Sequence, residues 1–156
     1  MHKTTAYIRH GSVSGFSLIE VMIALFVFAL LAIIFSSTLI VAKSASTMNG
    51  QYAQAISIAQ HKIDQLRAMG YGRLVYIELQ EANRVDTTHT SSPYVFNGVD
   101  TVANYLPNPS TSLRIENSDE YDSTRVKLVT VTVSWRATPT STVDSSVTLR
   151  AYIAKG

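Results

Sequence analysis

Cysteine is absent from the 156 residues. Disulfides, thiolate metal sites and cysteine nucleophiles are therefore excluded, and any folded domain must rely on its own core. Proline is missing from residue 16 to residue 92, so the strongest helix breaker is withheld from that stretch. Charge is nearly missing from residues 16–42, where Glu20 stands alone and no Lys or Arg occurs. A basic patch is missing as well. Two of the 13 cations, Lys3 and Arg9, precede Phe16, leaving 11 cations against 11 acids from there on. The net charge of +2 thus belongs to the first residues and gives no nucleic-acid surface. Arg67, Arg73 and Arg84 lie too far apart to form one. Four histidines, His2, His10, His61 and His89, show no metal-ligand spacing and no His/Asp/Ser constellation. No catalytic residue, metal or cofactor is expected, and the chain is not expected to be an enzyme.

What is present is one long apolar segment. Val21 to Phe35 is an unbroken apolar run, resumed after Ser36-Ser37-Thr38 by Leu39-Ile40-Val41-Ala42. As a helix, residues 16–42 span roughly 40 Å, enough for a hydrocarbon core of about 30 Å. A buried core helix is disfavoured, because so small a protein cannot surround a helix that is apolar on every face. A secretory signal cut at Ala42-Lys43-Ser44 fits less well. Its apolar region is usually about 7–15 residues, and an acid inside it costs on the order of 2.5–3.5 kcal/mol at a helix centre. Lys3 and Arg9 before the span predict a cytoplasmic N-terminus. Position alone allows Glu20 to snorkel to the cytoplasmic interface at little cost; the functional reading gives it a specific cation, and no side chain of the span supplies one. A new α-amino group made by cutting the chain nearby would.

Beyond the span, Met48, Tyr52, Ile56, Ala59, Ile63 and Leu66 recur at helical steps, predicting an amphipathic half over residues 43–71. Gln54, Gln60, Lys62 and Gln65 fall off that stripe. Gly50 is expected to be tolerated within the helix, and Gly70-Tyr71-Gly72 to end it. Residues 72–156 read as a sheet domain with loops. Val129, Val131, Val133 and Trp135 alternate with polar residues, as do Val147, Leu149, Ala151 and Ile153. An antiparallel pair follows, joined by a loop containing Pro139. Leu113-Arg114-Ile115 is expected to add a strand, Pro107-Asn108-Pro109-Ser110 to be a loop, and Asn97-Gly98 to turn a hairpin after Tyr94-Val95-Phe96. The acidic stretch from Glu116 to Asp122 reads as a solvated turn rather than a calcium loop. The fold expected is α+β: a long N-terminal helix, membrane half plus amphipathic half, on a small antiparallel sheet.

Gly15-Phe16-Ser17-Leu18-Ile19-Glu20 ahead of the apolar run resembles the class III signal of type IV pilins and type II secretion pseudopilins. The resemblance implies a 15-residue leader, residues 1–15, removed by a prepilin peptidase between Gly15 and Phe16. It implies N-methylation of Phe16 and places Glu20 as the fifth mature residue. There it would pair with the Phe16 amine of a neighbouring subunit and set the axial register of apolar helices. Residues 51–71, QYAQAISIAQHKIDQLRAMGY, with VTVTVSW (129–135) and SVTLRAYIA (146–154), resemble minor pilins of the pilus-modification (PilV-like) type and the related I-like (GspI-like) pseudopilins. Residues 72–124 resemble nothing specific.

The resemblance implies a minor pilin of the bacterial inner membrane, single-pass with its domain in the periplasm, which enters or primes a type IV pilus. Expected partners are other major and minor pilins (or pseudopilins), met through the N-terminal helix, the prepilin peptidase and the inner-membrane assembly platform. The nearest alternative is an I-like minor pseudopilin of a type II secretion system. Two others rank lower: an exported soluble binding domain, and a DNA-capturing competence pilin, which the neutral mature charge disfavours.

Overall fold

Without a helix breaker, residues 16–69 have no reason to leave the α-helix. The computed structural model, which describes residues 15–121, 124–137 and 144–156, shows helix α1 over Leu18–Met69. Gly50 lies inside it, with open space where a Cβ would stand. The chain divides into two compact units, one ending at Lys43 and the other comprising Ser44–Gly156. In the first, every described residue is exposed, Leu18, Phe28, Phe35 and Ile40 included. This helix is long and apolar enough to cross a membrane.

In the second unit the rest of α1 meets a three-stranded antiparallel sheet. Strands β1 (Ser110–Asn117), β2 (Val126–Trp135) and β3 (Ser145–Ala154) lie in the order β1-β2-β3. β2 pairs with β3 from Val126↔Ala154 to Trp135↔Ser145 without a slip. The period-two pattern puts Val129, Val131, Val133 and Trp135 on the inner face, fully or almost fully buried. They pack with Ala55, Ala59, Ile63 and Leu66 of α1 and with Leu113, Ala151 and Ile153. Two alanines in the helix line let the backbones approach closely, and Leu66 and Ile63 each contribute about 1.5–3 kcal/mol by burial. The fold is α+β, a long N-terminal helix on a small antiparallel sheet.

α1 stops at Gly70, whose φ of 79° is the left-handed conformation that glycine adopts without cost. Its amide donates to the carbonyls of Leu66 and Arg67. A 3₁₀ turn over Tyr71–Arg73 follows, then a short helix α2 (Tyr76–Glu81) that the residue pattern did not foretell. Residues 74–106 supply Leu74, Leu79, Val85, Phe96, Val102 and Leu106 to the core.

Three expectations fail in instructive ways. Only the far half of the helical stripe holds: Ala59, Ile63 and Leu66 are buried, whereas Met48, Tyr52 and Ile56 stay 38–43% exposed and Ala55 is buried in their place. Small residues mark the closest approach to a sheet, so a stripe drawn through the larger apolar residues misses it. Lys62, read as off the stripe, is completely buried. Asn97-Gly98 turns no hairpin. Tyr94 makes a single bridge with Leu113, and residues 97–101 form a turn leading to a 3₁₀ turn at Val102–Asn104. Gly98 serves another contact. A Cβ there would come within 3.2 Å of the Asp86 carboxylate, which accepts hydrogen bonds from the Gly98 and Val99 amides.

Candidate functional site: the N-terminal motif and the lysine clamp

Helix α1 begins at Leu18, and the Ser17 carbonyl accepts from the amides of Glu20 (3.0 Å) and Val21 (3.2 Å). Ser17 and Glu20 stand in the S-x-x-E spacing of a capping box, a local signal that the reading of Glu20 as an intramembrane acid passed over. Glu20 occupies the first turn, where the helix dipole favours a carboxylate by about 0.3–1 kcal/mol. The roughly 2.5–3.5 kcal/mol that an acid costs in a membrane applies at a helix centre, whereas Glu20 stands at the helix end. Phe16 is 82% exposed, and with Glu20, Val21, Ala24, Leu25 and Phe28 it lines one groove. The groove is apolar except for one carboxylate at its N-terminal end. Small Ala24, between Glu20 and Phe28 at four-residue steps, opens the notch.

Farther along, three consecutive hydroxyls interrupt the apolar run, and each is satisfied inside the helix. Ser36 Oγ donates to the Ala32 carbonyl (2.8 Å), and Ser37 Oγ and Thr38 Oγ1 both donate to that of Ile34 (2.8 and 3.1 Å). Polar groups that complete their bonds on their own helix are compatible with hydrocarbon.

The second unit holds a feature of a different kind. Lys62 Nζ pairs with Asp100 Oδ2 at 2.7 Å, donates to the Arg84 carbonyl at 3.0 Å and lies 4.6 Å from the centre of the Phe96 ring. Burial pulls its ammonium below the ordinary 10.5, and the hydrogen bond and charge of Asp100 pull it partly back. One helix side chain thus gathers three separate points of the 84–100 connection. It does so beside Thr101, a β-branched residue held at φ 47°. Lys127, also drawn down by burial, donates to the Tyr71 and Leu74 carbonyls and ties the chain just past the end of α1 to β2. The position of Lys62 beside Ile63, three residues from Ala59, was the available sequence signal. Its partner Asp100 was not, because the contact is long-range.

Of the residues named in sequence, Phe16 and Glu20 share one groove, with Gly15 just ahead of it. His61 is exposed and hydrogen-bonded to Gln65 at 2.8 Å, and His89 pairs with Thr88 at 3.1 Å. Among the described residues no group of three or more His, Cys, Asp or Glu is placed to hold a metal. Glu116 and Asn117 end β1, a turn follows through Tyr121, and Tyr152 Oη donates to Glu120 Oε2 at 2.6 Å. Asp122 and Pro139 lie outside the described residues.

Comparison with curated proteins and with solved structures finds no match. Residues 11–36 match one family model, the prokaryotic N-terminal methylation motif. The family that the motif describes is structural, not enzymatic, and with the long apolar helix it indicates membrane anchoring. By this motif the chain is similar to precursors of type IV pilin-like proteins or pseudopilins.

Proposed function

We propose that the protein is a minor pilin. It enters the inner membrane through residues 16–42, loses residues 1–15, is N-methylated on Phe16 and is incorporated into, or primes, a type IV pilus. The observation that carries this reading is the methylation motif at residues 11–36 leading into an apolar helix exposed on every side, with one acid in its first turn. A helix of that kind needs an apolar environment supplied from outside, by lipid before assembly and by other helices after it. Cutting after Gly15 places a positive amine on Phe16, in the groove that holds Glu20. On a neighbouring subunit the same pair of groups offers the missing counter-charge, and pairing in low dielectric sets the axial register. The sheet domain then supplies the contacts that distinguish this subunit from others.

The test is the mass and first residue of the mature protein. The expected product starts at Phe16 and carries one added methyl group, while Gly15→Leu accumulates as the precursor. A mature chain beginning at Ala45 would replace this reading with an exported soluble domain. Co-purification with a major pilin, rather than with secretion-system pseudopilins, distinguishes the pilus from the nearest alternative.

A further inference from the structure

The two edges of the sheet are treated differently. On the β1 side, Tyr94 and Leu113 exchange both backbone hydrogen bonds, at 2.8 and 2.7 Å. The Thr111 hydroxyl accepts from the Phe96 amide, so that edge is covered along residues 111–113. On the β3 side, no backbone hydrogen bond among the described residues reaches the outer edge of Ser145–Ala154. Nor does β3 carry the devices that usually blunt such an edge. It has no proline, no glycine and no bulge, and its single charged side chain is Arg150. We propose that the outer edge of β3 is a strand-addition site for an extended segment of a different polypeptide, apolar at alternate positions and carrying a carboxylate opposite Arg150.

The side chains along the edge specify that occupant. Val147 and Leu149 lie on the inner face yet are only half-buried, unlike Ala151 and Ile153, so the core is left unfinished where a fourth strand would complete it. On the outer face Arg150 is exposed, stands beside Thr130 in the register and makes no ion pair among the described residues. An incoming strand thus finds backbone groups for affinity, two apolar positions on one side and one cation on the other for selectivity.

A second copy of this chain does not meet the requirement. Its own β3 carries no Asp or Glu, so β3-to-β3 pairing in either direction offers Arg150 no carboxylate. A copy related by translation would present its β1 edge, whose middle, residues 111–113, Tyr94 and Phe96 already occupy. The occupant is therefore a strand of another protein.

The probe is the capped peptide Thr-Val-Glu-Val-Thr-Val-Thr added to the full chain in detergent micelles, with hydrogen exchange read at β3 amides. In antiparallel register its Glu faces Arg150 and its flanking valines face Leu149 and Ala151. Without peptide, the outward amides of residues 146–150 exchange fast. At ten times the dissociation constant they slow about ten-fold. Replacing Glu by Lys in the peptide weakens binding by up to about five-fold, and Arg150→Glu reverses that preference. The proposal is overturned if those amides are already protected, if no peptide slows them at millimolar concentration, or if the Glu and Lys peptides bind alike. Each of these readouts is independent of whether Gly15 is cut, so failure here leaves the pilin reading standing.

Discussion

The two halves of α1 are built from one secondary structure and solve opposite problems. Up to Lys43 almost every residue is apolar and none is buried. From Ser44 to Met69 the composition is mixed, yet Ala55, Ala59, Lys62, Ile63 and Leu66 are buried within the chain's own fold. Apolar content therefore does not measure burial in the monomer; it measures how much partner surface a helix demands. The first half demands it on all sides and must take it from lipid or other helices. The second half demands it along a narrow line, and its small residues let the sheet fit that line closely. Even the ion pairing differs. Glu20 has no side-chain cation among residues 16–42, whereas Lys62 finds Asp100 within its own domain.

That contrast can be attacked by mutation. The largest effect is expected at Glu20. Glu20→Val should be processed and membrane-bound as before, while its co-assembly with other pilins, measured in sheared or cross-linked filaments, falls to near background. Normal co-assembly would remove Glu20 from the pairing. Next comes Lys62→Ala, which leaves Asp100 without its counter-charge. Because the Asp100 side chain keeps 15% of its exposure, the loss should fall toward the lower end of the roughly 3–5 kcal/mol for a broken buried pair. Denaturant titration measures it, and Lys62→Met combined with Asp100→Leu should recover most of it. A pH scan adds a sign. The folded state holds the Lys62 proton less tightly than the unfolded chain, so stability from this group is present above 10.5 and declines as pH falls through the lowered folded value. Lys62→Met should abolish that slope.

Smaller effects probe the near end of the amphipathic half. Trp135 Nε1 donates to Gln51 Oε1 at 3.0 Å, and Tyr52 packs edge-on against the indole at 4.8 Å. Trp135→Phe keeps most of the ring but loses the donor, costing about 1–2 kcal/mol by thermal melting. A cost above that of Lys62→Ala would overturn the ranking. Gly50→Ala should move stability the other way, by up to about 1 kcal/mol, since the position is helical and open. Destabilisation there would point to a bend of α1 at residue 50 during folding or assembly.

Much of this molecule was readable before any coordinates. The alternation at Val129, Val131, Val133 and Trp135 identified the inner face of the central strand, because a strand's two sides are written in alternate letters. Gly70 marked the helix end for an equally local reason. The 72–109 connection was opaque because its core residues are spaced irregularly and its order comes from side chains far apart in sequence. Asn97-Gly98 carries the sequence of a hairpin turn but serves a different contact, its glycine amide donating to Asp86. Lys62 was assigned to solvent because lysine usually goes there; only a distant Asp100 and the Arg84 carbonyl make its burial affordable.

Residue order alone determined the methylation motif, the apolar span with its single acid, the helix end and the faces of the strands. Each is encoded within a few consecutive residues, by steric limits, periodicity or the need for an apolar environment. The tertiary structure alone decided which part of the helix line is buried, the lysine clamp and where the sheet edges are covered. Those depend on where chain segments many residues apart come to rest, and that placement is settled by packing and by the pairing of buried charge.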